Sequence, residues 1–175
     1  MRQLLTTRTH ISRRITLAAI LLALSGVASS ISASPTSDFQ KLGEGEMNYM
    51  FWTIYSAELF SSVSTGEQAL KIEYQKSIDS QALIDATEDQ WNQLGYTQKN
   101  INAWLEPLNA LWPNVKPGNT LTIIVAEDQT SRFYFDDQPI GVVSDKGFGQ
   151  AFLSIWLSEK TSEPKLRKQL LGLVK

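Results

Sequence analysis

The stretch TLTIIVAEDQTSRFYFDDQPIGVV, residues 120–143, decides the fold. Thr120 to Val125 is a β-branched run, Asp128-Gln129 is a turn, Ser131 to Phe135 alternates, Asp136-Asp137 is a second turn, and Pro139 to Val143 completes a three-stranded meander. Working backward, Pro117-Gly118-Asn119 feeds this meander from a helical segment. There Thr97 is the N-cap, and Ile101, Trp104, Leu105, Leu108, Leu111 and Trp112 keep the i, i+3, i+4, i+7 spacing of one buried helix face. Pro107 inside that segment is expected to kink it or split it. Before it, Asp79 caps a helix running to Leu94, with Gly95 as its stop and Leu83, Ile84, Trp91 and Leu94 on the inner side. Working forward, Ser144 or Asp145 caps a helix from about Gly147 to Leu157, and Ser162-Glu163-Pro164 opens a last helix that ends at Gly172.

Toward the N-terminus, Met47 to Leu59 is rich in aromatic and β-branched residues. Alternation places Met47, Tyr49, Phe51, Thr53 and Tyr55 on one face and Asn48, Met50, Trp52 and Ile54 on the other. Both faces are apolar, which predicts a single central strand covered on both sides. Ala69 to Tyr74 is the next strand. Strands and helices thus come in blocks rather than in alternation, and the expected class is α+β with a largely antiparallel sheet packed by helices.

Residues 1–33 carry Arg2, Arg8, Arg13, Arg14 and the single histidine, His10, but no acid. A basic start, an apolar run from Ile15 to Val27 and small residues from Ala28 to Ser34 make the three-part pattern of a cleavable Sec-type signal peptide. The run is shorter than the roughly 20 residues that cross a bilayer as a helix, so a periplasmic location with no integral membrane segment after cleavage is expected, the cut falling after Ala28 or Ala33. Ser12-Arg13-Arg14 is similar to a twin-arginine signal, although Thr16 stands where Phe is expected, and an uncleaved amphipathic anchor is the other alternative. Residues 34–40 are read as a flexible lead-in and 41–175 as the domain.

Removing residues 1–33 takes four of the 16 Lys and Arg and leaves 12 against all 18 Asp and Glu, a formal charge of −6. With no basic run beyond a pair, nucleic-acid binding is not expected. The domain then holds neither Cys nor His, which removes the commonest zinc ligands, thiol nucleophiles and the Ser-His-Asp triad. No cofactor or metal is expected: Gly43-Glu44-Gly45 is a turn rather than a dinucleotide loop, and Asp136-Asp137 are turn residues before they are a cation site. Glu44 and Glu46 share a strand face, while Asp85, Glu88 and Asp89 form a solvated helix side. Of the domain's two arginines, Arg132 is the candidate to hold an acidic headgroup, and Arg167 is a surface pair. Five Trp, five Tyr and seven Phe can fill a core or line an apolar pocket.

Tyr55-Ser-Ala57-Glu-Leu59, Phe133-Tyr-Phe135-Asp-Asp-Gln-Pro-Ile-Gly141 and Gln150-Ala-Phe-Leu-Ser-Ile-Trp156-Leu, running into Leu166-Arg167 and Leu170-Leu-Gly172, resemble the bacterial chalcone isomerase-like proteins over about residues 41 to 172. The resemblance implies an open-faced β-sandwich, a curved antiparallel sheet with helices on one face and an apolar cleft between. The wider family includes plant enzymes that cyclise chalcones and non-catalytic relatives that bind fatty acids. On that resemblance Met47 stands at the enzymes' substrate-polarising Arg, Tyr55 at a Thr, Ala86 near an Asn and Asp79 near a Tyr, while a hydroxyl is kept at Ser154. Loss of the cation removes electrostatic stabilisation worth roughly 3–4 kcal/mol. The resemblance therefore implies a non-catalytic protein binding a small apolar or fatty-acid-like ligand, with Met47, Tyr55, Ser154 and Arg132 as ligand-binding candidates. Two alternatives stand beside it: an isomerase or lyase using Tyr55, and an envelope protein-interaction module.

Overall fold

A computed structural model describes residues 33–174; the signal peptide expected in residues 1–33 falls, apart from its last residue, outside them. Six strands form one antiparallel sheet in sequence order, β1 (Gln40–Tyr49), β2 (Trp52–Ser61), β3 (Gln68–Tyr74), β4 (Thr120–Val125), β5 (Ser131–Phe135) and β6 (Gln138–Val143). Between β3 and β4 the chain leaves the sheet for α1 (Ser80–Leu94) and α2 (Gln98–Leu111), and after β6 it adds α3 (Phe148–Leu157) and α4 (Pro164–Leu170). This is the α+β block order expected, in the open curved-sheet arrangement.

The single strand expected over 47–59 is instead a hairpin. Tyr49 pairs with Trp52 across a turn at Met50 and Phe51, and β1 is an edge strand, not a central one. Neither turn residue is Gly, Asn, Asp or Pro, so the sequence carries no turn signal there. Met50 adopts φ 55, a left-handed conformation that costs a side-chain-bearing residue about 1 kcal/mol or more. The 34–40 segment is also more ordered than a flexible lead-in. Thr36 is buried, Phe39 N–H donates to the Thr36 carbonyl, and Phe39 packs on Phe60, Ala69 and Ile124 on the outer face of the sheet.

Other local signals act as read. Gly95 ends α1 at φ 86, with its N–H and that of Tyr96 returning to Asn92 and Trp91 carbonyls. Thr97 accepts from Asn100 N–H at the start of α2, which Pro107 does not split. Asp136 and Asp137 occupy φ 47 and 62, the conformation of a tight two-residue hairpin turn. The N-cap of α3 is Gly147, neither Ser144 nor Asp145; Asp145 holds the turn before it, its Oδ1 accepting from the N–H groups of Gly147 and Phe148 and from the Trp104 indole.

The core lies between the inner sheet face and the helices. Leu59, Leu70, Ile72, Leu121, Ile123 and Phe133 point inward from alternate strand positions to meet Ile84, Trp91, Ile101, Leu108, Phe148 and Phe152. Phe148 and Phe152 stack at 5.7 Å and meet Phe133 edge-on at 5.9 and 5.6 Å. Gly149 lets α3 lie directly on the sheet: a Cβ there would stand 2.6 Å from Ser131 Oγ and 2.8 Å from Val125.

Candidate functional site

A cavity of about 250 Å³ lies between the sheet and the helices. Its floor is Met47, Ile54, Tyr55, Ile72, Tyr74 and Leu121 from the first four strands. Its roof is Ala82, Leu83, Ala86 and Thr87 of α1 together with Phe152, Ile155 and Trp156 of α3, and Ser162 and Glu163 close it at the entry to α4. Consecutive residues Ile54 and Tyr55 both reach it because the β1–β2 register slips by one between Met47 and Asn48, a bulge that leaves Ile54 without a partner. Small side chains at Ala82 and Ala86 leave the space that a larger residue would fill.

The polar equipment is sparse. Tyr55 sits opposite Met47 on β1 and Tyr74 on β3, its ring edge-on to Tyr74 at 6.1 Å. The Trp156 indole N–H donates to the Tyr55 hydroxyl at 2.9 Å, which fixes the phenol and leaves its own proton free to donate. Burial pushes the Tyr55 phenol up to about 12, with Glu163 adding to the rise and the Trp156 bond opposing it. Burial raises Tyr74 as well. At neutral pH both are hydrogen-bond donors, not bases. Trp112, also on the wall, has a buried indole N–H with no acceptor among the described residues. Glu163 is the one charged side chain among the described lining residues.

Of the four residues expected to bind ligand, the structure brings Met47 and Tyr55 together and leaves the other two elsewhere. Ser154 does not line the cavity; its hydroxyl donates to the Ala151 carbonyl at 2.7 Å and lies 3.1 Å from Tyr96 Oη. Arg132 lies on the opposite face of the sheet, since inward Phe133 forces its neighbour outward, and it pairs with Glu67 at 2.6 Å. Ala86 lines the cavity, and Asp79 stands at the α1 N-terminus away from it. Arg167 bonds the Leu157 carbonyl at 2.8 Å and faces Glu159. Trp156 and Glu163 were missed as site residues. The Phe148, Phe152, Ile155, Trp156 spacing marks one helix face and could have revealed the first; nothing local marks the second.

A second, larger depression of about 810 Å³ runs past Glu44, Glu46, Glu58, Lys71, Glu73 and Lys165. Lys41 pairs with Glu44 and Glu58 at its side, so its charges are largely a solvated surface network, and Glu44 and Glu46 face away from the aromatic cavity. No group of three or more potential metal ligands occurs among the described residues.

A curved antiparallel sheet with helices on one face and an aromatic cavity between them defines an open-faced sandwich. The chalcone isomerase-like family model matches residues 53–172, well over half of the chain, and the chain belongs to that family. A fatty-acid binding protein of Arabidopsis thaliana shares the fold at a TM-score of 0.62, over 81% of this chain and 90% of that one, with 9% identical residues. An uncharacterized protein of Haemophilus influenzae is 28% identical over 149 residues, which span 82% of this chain and 73% of the relative.

Proposed function

We propose that this is an exported, non-catalytic binding protein that holds one small amphipathic molecule of fatty-acid type, its chain in the cavity and its head at Tyr55. The observation that carries the reading is the Tyr55 phenol, held by the Trp156 indole and left with a proton to donate in a mostly apolar cavity whose other polar lining includes Tyr74, Thr87, Gln90, Ser162 and Glu163. The Arabidopsis neighbour's named ligand class supports it. Met47, where a cation would polarise a substrate, and a phenol that stays protonated both argue against proton-transfer chemistry.

Volume and charge narrow the ligand. At about 250 Å³ the cavity lies just below the roughly 300–1,000 Å³ of small-molecule pockets, so a medium chain fits better than a long one. A carboxylate would meet Glu163 and no lining cation among the described residues, whereas a protonated acid or an alcohol accepts the Tyr55 bond without an ionic cost. The export signal in residues 1–33 supports a periplasmic site of action.

Titration of the delipidated protein with 1-decanol and decanoic acid, followed by Trp emission and melting temperature, tests this. Saturable binding with a rise of several degrees is expected. No response to either compound at any pH between 4.5 and 8 overturns the reading.

A further inference from the structure

The β1–β2 turn presents four large apolar side chains in a row. Tyr49, Met50, Phe51 and Trp52 are 65%, 77%, 96% and 61% exposed. No charged residue stands between Glu46 and Glu58 in the sequence. The β2–β3 ladder ends at the Tyr55–Tyr74 pair, with the Gln75 N–H still donating to the Ile54 carbonyl, so Thr53, Trp52 and the turn overhang the sheet. At about 3.3 Å per residue that overhang is about 10 Å, and interfacial apolar groups sink roughly 5–10 Å into the boundary between headgroups and acyl chains. Tyr and Trp are the side chains favoured at that depth, an apolar body with a polar tip. At the base of the overhang the Lys76 ammonium sits 4.2 Å from the centre of the Trp52 ring, placing a cation where lipid phosphates would lie. Of the nearest acids, Glu46 accepts from the Thr53 hydroxyl at 3.5 Å, one residue behind Trp52, and Glu73 lies further back on the sheet.

We propose that this tip inserts into the headgroup layer of a phospholipid bilayer. A two-residue apex is narrow and convex, so it buries little against a flat protein surface, whereas lipid deforms around it. The turn chemistry agrees: a Met at positive φ does nothing for a hairpin that Gly or Asn would close better, so the bulky apex serves the surface it meets. This inference stands whatever the cavity holds.

The test uses the full chain with vesicles of phosphatidylcholine alone and of phosphatidylcholine mixed with phosphatidylglycerol. Trp91, Trp104, Trp112 and Trp156 are buried, and residues 1–33 contain no Trp, so a blue shift of emission on vesicles that Trp52→Phe abolishes reports Trp52 and not the cavity's Trp112 and Trp156. Co-sedimentation with both vesicle types and a blue shift are expected. The Met50→Asp/Phe51→Asp variant should lose about tenfold or more in partitioning at unchanged melting temperature, and Trp52→Phe should still sediment but show no shift. Binding through residues 1–33 would survive in the double variant, so equal sedimentation of variant and parent overturns the proposal. So does a parent that stays in the supernatant, a shift that persists in Trp52→Phe, or a tip-dependent dimer in sedimentation velocity without vesicle binding.

Discussion

Replacing Tyr55 by Phe removes one oxygen and leaves the ring in place. The loss acts twice. The Trp156 indole N–H, donated at 2.9 Å from a residue only 9% exposed, is left without an acceptor. A buried donor stranded in this way costs about 1–3 kcal/mol. For a domain of about 140 residues the unfolding entropy near the midpoint is about 0.3 kcal/mol/K, so the melting temperature should fall by about 3–10 °C. The same variant lacks the proton offered to the ligand, worth about 1 kcal/mol, so decanol should bind about fivefold more weakly. Trp156→Phe loses packing as well as the bond, and a double-mutant cycle separates the two. With both changes the stranded donor is gone, and the cycle should return a coupling of about 1 kcal/mol or more. Differential scanning calorimetry on the four proteins, with decanol titrations on parent and Tyr55→Phe, supplies every number. A Tyr55→Phe protein melting within 1 °C of the parent and binding decanol within a factor of two would refute the reasoning.

Further outcomes follow from the same geometry. Decanoic acid, bound as the neutral acid, should weaken about tenfold per pH unit above its solution pKa until its raised bound-state value is passed, while decanol stays flat; isothermal titration at several pH values reads the difference. The folded-state Tyr55 phenol is raised from 10 to about 12, so its contribution is complete below pH 10 and is lost as pH rises toward 12; alkaline unfolding should therefore be shallower in Tyr55→Phe. Gly149→Ala forces a methyl against Ser131 and Val125 and should cost about 1–3 kcal/mol in denaturant unfolding. Arg132→Met breaks only a half-exposed pair with Glu67, so stability should change by no more than about 1 kcal/mol and decanol affinity not at all.

Where the chain carried a local chemical reason, the sequence was legible. Gly95, Thr97 and the Asp136-Asp137 pair act through their own backbone preferences, and the α2 stripe buries Ile101, Trp104, Leu105 and Leu108 and half-buries Leu111. The β1–β2 turn was not legible, because a large apolar residue at positive φ contradicts every turn signal and the run from Met47 to Leu59 has the composition of one buried strand. The site divides along the same line. Tyr55 and Met47 reach the cavity from facing positions in the hairpin. Arg132 fails on strand parity, since Phe133 beside it must point inward. Ser154 fails on helix phase, since Phe152, Ile155 and Trp156 take the side of α3 that meets the cavity. Glu163 enters the site only through the packing of α4 after the whole sheet is in place.

The contact between α4 and β1 also governs when the fold can be finished. Gly43 has no room for a side chain because the carbonyls of Gln169 and Leu170 lie over it, and at Gly45 a Cβ would stand 2.8 Å from Leu166 and 2.6 Å from the Gln169 amide. The first strand of the sheet is thus clasped by the last helix of the chain. While the polypeptide emerges vectorially from a ribosome, β1 waits with this face uncovered until α4 arrives. A chain cut before Leu166 therefore leaves this face of its first strand uncovered.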